Sequence, residues 1–207
     1  MSEKQHARGN RRLVLICLFF LCWSAVLVGC GRKPETETVI GLGAAWFEVR
    51  ADELGTAANG VVEICAKEKN ALGIRILAEL QIGPADFGGV AFSLPAGCRL
   101  EQVSCAWTDA KGTAGADPPV NVWTADSDRE AFATAVEIAR SHDKHPNGGG
   151  SGTVVLEASF PWNGSEPPAV LTFAAECGAE EKNGSAFMGV DCREIVVEIK
   201  PAVGNAY

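Results

Sequence analysis

The stretch GIRILAELQI at residues 73–82 indicates the fold class of this chain. Five apolar residues recur at every second position and share one face: Ile74, Ile76, Ala78, Leu80 and Ile82. Arg75, Glu79 and Gln81 fall on the opposite face. Successive side chains of an extended strand point to opposite faces, so this period of two predicts a half-buried antiparallel strand.

Similar segments recur along the chain, separated by Gly, Pro or Asn. They lie at residues 46–50, 61–66, 73–82, 90–94, 98–107, 120–124, 153–162, 169–177 and 193–200. In the segment 98–107, Leu100 and Val103 have opposite parity, so we expect a bulge near Gln102. Short strands with turn signals at intervals of roughly ten residues predict one all-β sandwich of eight or nine strands.

The segment 128–140 permits two interpretations. Ser127 and Glu130 match a capping box, and the alanine content suits a helix. Phe132, Thr134 and Val136 alternate with smaller or charged residues, as a strand requires. The alternation favours a strand, and the helix remains the alternative.

The chain begins with a basic leader and an apolar run. Lys4, Arg8, Arg11 and Arg12 precede the 16 apolar or small residues at positions 13–28. As a helix this run of 16 residues is about 24 Å long, whereas a helix of about 20 residues, or roughly 30 Å, spans a bilayer comfortably. The pattern is typical of a cleaved secretory signal, and an uncleaved signal anchor is the alternative.

The run ends in Leu27-Val28-Gly29-Cys30, which resembles the lipobox of bacterial lipoproteins. The resemblance implies a signal peptide at residues 1–29, lipidation of Cys30 with diacylglycerol and a further acyl chain such as palmitate, a tether at 30–38 and a domain at 39–207. It also implies an anchor in the cell membrane facing outside the cytoplasm. Because Gly31 rather than Asp follows the cysteine, the expected location in a cell with two membranes is the outer one.

The charge balance excludes two classes of partner for the domain itself. Residues 1–29 carry four of the 18 basic side chains and one of the 26 acidic ones. The remainder therefore carries 14 basic against 25 acidic groups, a net charge of −11. Nucleic acid and anionic lipid both require a positive surface, so we expect no nucleic-acid partner and a bilayer contact only through lipidated Cys30.

Five cysteines follow Cys30, and they form no C-x-x-C pair. An extracytoplasmic compartment permits disulfides, but an odd number leaves at least one thiol without an internal partner. We expect Cys177–Cys192 to close a loop between two strands, followed by Cys98–Cys105. Buried thiols that pack as small apolar groups are the alternative.

Two segments resemble the β-sandwich modules of the cohesin type, within the immunoglobulin-like class. They are VAFSLPAGCRLEQV at residues 90–103, a strand-turn-strand, and AVLTF at 169–173. The resemblance implies a domain that binds protein or carbohydrate. No partner-binding residue of that family has a matching position here.

Few residues suggest chemistry. Three tryptophans near predicted strand ends, Trp107, Trp123 and Trp162, are candidates for stacking on sugar rings. His142 and His145 in a glycine-rich loop lack a third placed ligand, and Asp126, Asp128 and Glu130 lack the glycine turn of a calcium loop. We expect no metal and no cofactor.

No nucleophile elbow or oriented acid–base pair appears in the sequence. It therefore predicts a non-enzymatic surface lipoprotein that binds a protein or glycan partner. The alternative is an extracytoplasmic enzyme or envelope-assembly factor whose site forms only on folding.

Overall fold

A computed structural model describes residues 41–68, 70–115, 118–124, 131–162 and 166–200. The described strands are β1 (Gly41–Ala51), β2 (Thr56–Glu68), β3 (Ala71–Ile82), β4 (Val90–Pro95), β5 (Arg99–Asp109), β6 (Val120–Thr124), β7 (Phe132–Ile138), β8 (Gly150–Pro161), β9 (Val170–Lys182) and β10 (Ser185–Glu198). A short 3-10 helix, Asp52–Leu54, joins β1 to β2. In these ranges no helix has the length and apolar character that a membrane span requires.

The strands form two antiparallel five-stranded sheets. Sheet A has the order β1-β2-β3-β8-β5, and sheet B has the order β10-β9-β4-β7-β6. This confirms the predicted all-β sandwich. The described ranges hold ten strands where eight or nine were expected, because the ambiguous segment forms β7 in addition to the nine predicted strands.

The core lies where the inward faces of the two sheets meet. In β3 the five alternating residues beginning at Ile74 are all buried, as the sequence pattern predicts. From β1 and β4, Phe47 and Phe92 meet edge-to-face with ring centroids 5.8 Å apart. Buried valine, leucine and isoleucine side chains from both sheets fill the remaining space.

The ambiguous segment is a strand. β7 (Phe132–Ile138) pairs with β4 on one side and β6 on the other. Burial of Val136 and Ile138 on the inward face explains why alternation prevails over the alanine content. Ser127 and Glu130 lie outside the described residues. The predicted bulge in β5 is also present, between Leu100 and Gln102.

Turn chemistry sets the β9–β10 hairpin. Asn183 and Gly184 adopt φ values of 54° and 79°, as an Asn-Gly turn requires, and Ser185 pairs with Lys182. This two-residue turn joins β9 directly to β10. The similar Asn163-Gly164 pair lies outside the described residues.

A buried carboxylate holds the connection between β3 and β4. Asp86 is fully buried and accepts hydrogen bonds from the Thr56 hydroxyl at 2.6 Å and the Gly88 amide at 2.7 Å. The amides of Gly89 and Ala179 also donate to it, both at 3.2 Å. One side chain therefore ties this connection to β2 and β9.

Candidate functional site

A row of apolar side chains crosses the outer face of sheet A. Trp46 pairs with Val61, Val61 with Leu77, and Leu77 with Val155, so these four side chains lie side by side on β1, β2, β3 and β8. Trp46 is 76% exposed and Leu77 44%, while both valines are half-buried. We call these four residues the Trp46 row.

Polar rows flank the Trp46 row on both sides. One consists of Glu48, Asn59, Glu79 and Thr153, and the other of Ala44, Glu63, Arg75 and Glu157. Arg75 pairs with Glu157 at 3.2 Å across two strands. An exposed pair of this kind adds little to stability, but it keeps the flanks of the row hydrated and charged.

An open groove lies beside Trp46 at the edge of the sheet. It has a volume of about 460 Å³ and is lined by Trp46, Phe47, Glu48 and Asn59. Arg50 donates to the Glu48 carboxylate and to Asp52, each at 3.1 Å, and so orients Glu48. The groove combines an aromatic face with a carboxylate and an amide, which can accept and donate hydrogen bonds to hydroxyl groups.

The three tryptophans chosen from the sequence do not form a row. Trp107 is 7% exposed and Trp162 9%, because both lie on the inward parity of their segments and join the core. Trp123, on β6, is 53% exposed. The prediction of three sugar-stacking tryptophans is therefore wrong for Trp107 and Trp162.

Trp46, the most exposed tryptophan among the described residues, was not among the candidates. A signal for it exists in the sequence. Trp46 has the parity of Glu48 and Arg50, whereas Phe47 and Val49 have the opposite parity. Charged partners at i+2 and i+4 mark the outward face of a strand.

Trp123 belongs to a second group of polar residues on the outer face of sheet B. Its indole Nε1 donates to Glu137 Oε2 at 2.6 Å, and His142 Nε2 lies 2.9 Å from the same oxygen. Arg140 contacts Glu137 at 3.3 Å and Glu176 at 2.7 Å. We call these five residues the Glu137 cluster.

The centre of the Glu137 cluster is buried, whereas Trp123 and His142 are about half exposed. The side chains of Glu137 and Arg140 are 7% and 5% exposed. Burial raises the pKa of Glu137, but hydrogen bonds from His142 and Trp123 and the Arg140 charge outweigh it, so its pKa is below the ordinary value. The cluster holds an ionised carboxylate in place and joins β6, β7 and β9.

The structure brings His142 to Glu137 but does not bring His145 to the same atoms. His145 is exposed, and its amide donates to the Ser141 hydroxyl at 3.3 Å. Across the described ranges, no group of three His, Cys, Asp or Glu residues is arranged to hold a metal ion. Asp126, Asp128 and Glu130 lie outside those ranges.

The predicted disulfides do not form. Cys177 is a buried thiol, whereas Cys192 pairs with Glu176 in the register and is an exposed thiol on the other face of sheet B. Cys98 is also a thiol. Seven steps of nearly extended chain lead from Cys98 to Cys105, so their Cα atoms are roughly 23 Å apart, whereas a disulfide requires a Cα–Cα distance of ~6 Å.

The alternative interpretation, that the cysteines pack as buried thiols, applies to Cys98 and Cys177. Desolvation raises the pKa of Cys98 to about 12, and desolvation with the charges of Asp191 and Asp86 does the same for Cys177. Both thiols are therefore protonated at neutral pH and pack as small apolar groups.

Comparison of the sequence with models of known protein families and with curated proteins finds no match. The cohesin-type resemblance of residues 90–103 and 169–173 stays a prediction.

Proposed function

We propose that this protein is a lipoprotein anchored outside the cytoplasm through Cys30, and that its β-sandwich binds a protein or glycan partner through the Trp46 row. One observation carries the proposal. Trp46 is 76% exposed on the edge strand of sheet A, and Leu77, in the same row beyond Val61, is 44% exposed. Exposed aromatic and aliphatic side chains that lie together on a charged surface are typical of interaction sites.

The energetics of the indole support a binding role. A tryptophan offers up to about 250 Å² of surface, so Trp46 presents roughly 190 Å² to solvent. Covering that area is worth up to ~5 kcal/mol. A partner that covers Trp46 gains this free energy, because the side chain stays exposed in the folded domain.

The location follows from the leader and the charge. A basic leader, a short apolar run and the lipobox-like ending at Cys30 support export and lipidation. The rest of the chain carries −11, so an anionic membrane repels it. Two or more acyl chains on Cys30 provide stable attachment.

Binding of the purified full-length protein in detergent to isolated envelope material from its own source cell tests the proposal. We expect Trp46→Ala to weaken binding about tenfold or more, since roughly 1.4 kcal/mol corresponds to a factor of ten. The matched control is Val196→Ala, which removes a 53% exposed side chain from β10 of sheet B.

The control should bind like the wild type, and all three proteins should unfold at similar urea concentrations. Equal binding by the wild type and Trp46→Ala would contradict the proposed role of the Trp46 row.

A further inference from the structure

We infer that the groove beside Trp46 takes a neutral oligosaccharide, an inference that rests on the proposed binding function and names its ligand. The argument begins with the aromatic face. Trp46 lies within β1, whose ladder to β2 is regular from Gly43 to Ala51, so the backbone that carries the indole is fixed. A pyranose ring presents C–H groups on one face, and these pack against the electron-rich face of an indole.

The second step is the placement of polar groups next to the indole. Glu48 follows Trp46 by two residues on the same face, about 7 Å along the strand. Asn59 lies directly opposite Glu48 on β2. The spacing is comparable to the width of one hexose ring, so a sugar stacked on Trp46 has its hydroxyl groups near a carboxylate and an amide.

The hydrogen-bonding capacity of this pair matches a diol. A carboxylate accepts from two neighbouring hydroxyl groups, and an amide both donates and accepts. Arg50, at 3.1 Å, holds Glu48 in position. Ordering of the carboxylate before binding reduces the entropy that a weak ligand must overcome.

The third step concerns area. Trp46 and Leu77 together expose roughly 250–300 Å² of apolar side chain, taking ~250 Å² for a whole tryptophan. A stable protein interface buries about 800 Å² on each partner, with an apolar core larger than this row. The size of the apolar surface therefore favours a sugar over a protein.

The fourth step is charge. Glu48 and Glu79 lie in the polar row next to Trp46, and Glu63 lies in the row on the other side. The Arg50 side chain, which contacts the groove residue Glu48, already pairs with Glu48 and Asp52. An acidic surround repels sulfated or uronic-acid polymers, so the sugar is neutral.

The test uses the full-length protein in detergent and four immobilised neutral probes: cellohexaose, xylohexaose, mannohexaose and N-acetylchitohexaose. Heparin and polygalacturonate serve as anionic probes. We expect weak binding of at least one neutral probe, with a Kd of about 0.1–1 mM, and no stronger binding of either anionic probe.

Two variants connect binding to the groove. Trp46→Ala should weaken binding about tenfold or more, and Asn59→Ala about threefold to tenfold, as expected for an aromatic platform and one hydrogen bond. Val196→Ala should leave it unchanged. Circular dichroism and urea unfolding of each variant separate loss of binding from loss of fold.

Failure of all four neutral probes, unchanged binding by Trp46→Ala, or preference for an anionic probe overturns the inference. The envelope-binding experiment distinguishes this from failure of the proposed function. If Trp46-dependent envelope binding persists through a protein while no neutral probe binds, the sugar inference is wrong and the binding function stands. If neither occurs, both are wrong.

Discussion

Glu137 shows how one buried residue depends on its surroundings. Its carboxylate is 7% exposed and accepts from Trp123 at 2.6 Å, with His142 at 2.9 Å and Arg140 at 3.3 Å. The neighbouring Glu176 shares the Arg140 charge at 2.7 Å. Removal of one partner from such a group leaves the others buried without compensation.

The pH dependence of stability follows from this arrangement. The pKa of Glu137 is lower in the folded than in the unfolded chain, so its stabilising contribution is complete above pH ~4.3 and is lost as the pH falls through the folded value. We expect Glu137→Gln to lower the free energy of unfolding by about 3 kcal/mol at pH 6. At pH 3 the difference from wild type should be smaller.

Urea unfolding at both pH values measures the effect. The control is Glu181→Gln, an exposed member of a surface pair with Lys144 at 3.7 Å, which should change stability by less than ~0.5 kcal/mol. A difference between wild type and Glu137→Gln that is equal at pH 6 and pH 3 would contradict the assignment of Glu137 as the titrating group.

Among the structural elements, the connection between β3 and β4 depends on a single polar residue. Close packing accompanies the hydrogen bonds to Asp86: a Cβ on Gly88 would lie 2.1 Å from the backbone of Gly178. Only glycine at this position allows the connection to approach β9 so closely.

We expect Asp86→Ala to destabilise the fold by about 3–5 kcal/mol, because it leaves three buried amides and the Thr56 hydroxyl without their acceptor. Thermal and urea unfolding measure the loss. Asp52→Ala, a change in a side chain that is 78% exposed, is the matched control and should remain close to wild type. Similar stability of both variants would show that the acceptor role of Asp86 is dispensable.

The strands were predictable because alternation is a local property. Each half-buried strand carries its own period of two, and β3 shows it from Ile74 to Ile82. The bulge near Gln102 followed from a change of parity in the same way. The pairing of distant strands has no comparable local pattern in the sequence, so the order of strands within each sheet was not predicted.

The site was harder to predict, because exposure depends on which face the opposite sheet covers. Trp107 and Trp46 both occur in alternating strands, yet one packs in the core and the other faces solvent. The local signal that distinguishes Trp46 is its parity with Glu48 and Arg50. In the Glu137 cluster, Glu137, Arg140 and His142 are close in sequence, but Glu176 reaches Arg140 only through sheet pairing.

At the scale of the whole molecule, the proposed anchor and the charge of the domain act together. The chain after residue 29 carries −11, so electrostatics would hold it away from an anionic membrane while the proposed lipid on Cys30 would keep it attached. Both effects favour a domain that extends into the surrounding medium.

Cys30→Ala tests the anchor. We expect the variant to lose lipid labelling and to leave the membrane fraction, because the acyl chains are the proposed source of membrane affinity. Metabolic labelling with a palmitate analogue and membrane fractionation measure both effects. Cys192→Ala, which removes an exposed thiol of the domain, is the control and should keep the label. Unchanged membrane retention of Cys30→Ala would contradict the lipoprotein proposal.

The position of Trp46 within β1 has a mechanical consequence. The proposed anchor at Cys30 and the proposed ligand at Trp46 would pull on the same strand, since Trp46 lies about 17 Å along β1 from its first residue, Gly41. Tension between the cell and a bound ligand would therefore run along residues 41–46, where the ladder to β2 resists it in shear. Such a force would act along sheet A rather than separate the two sheets of the sandwich.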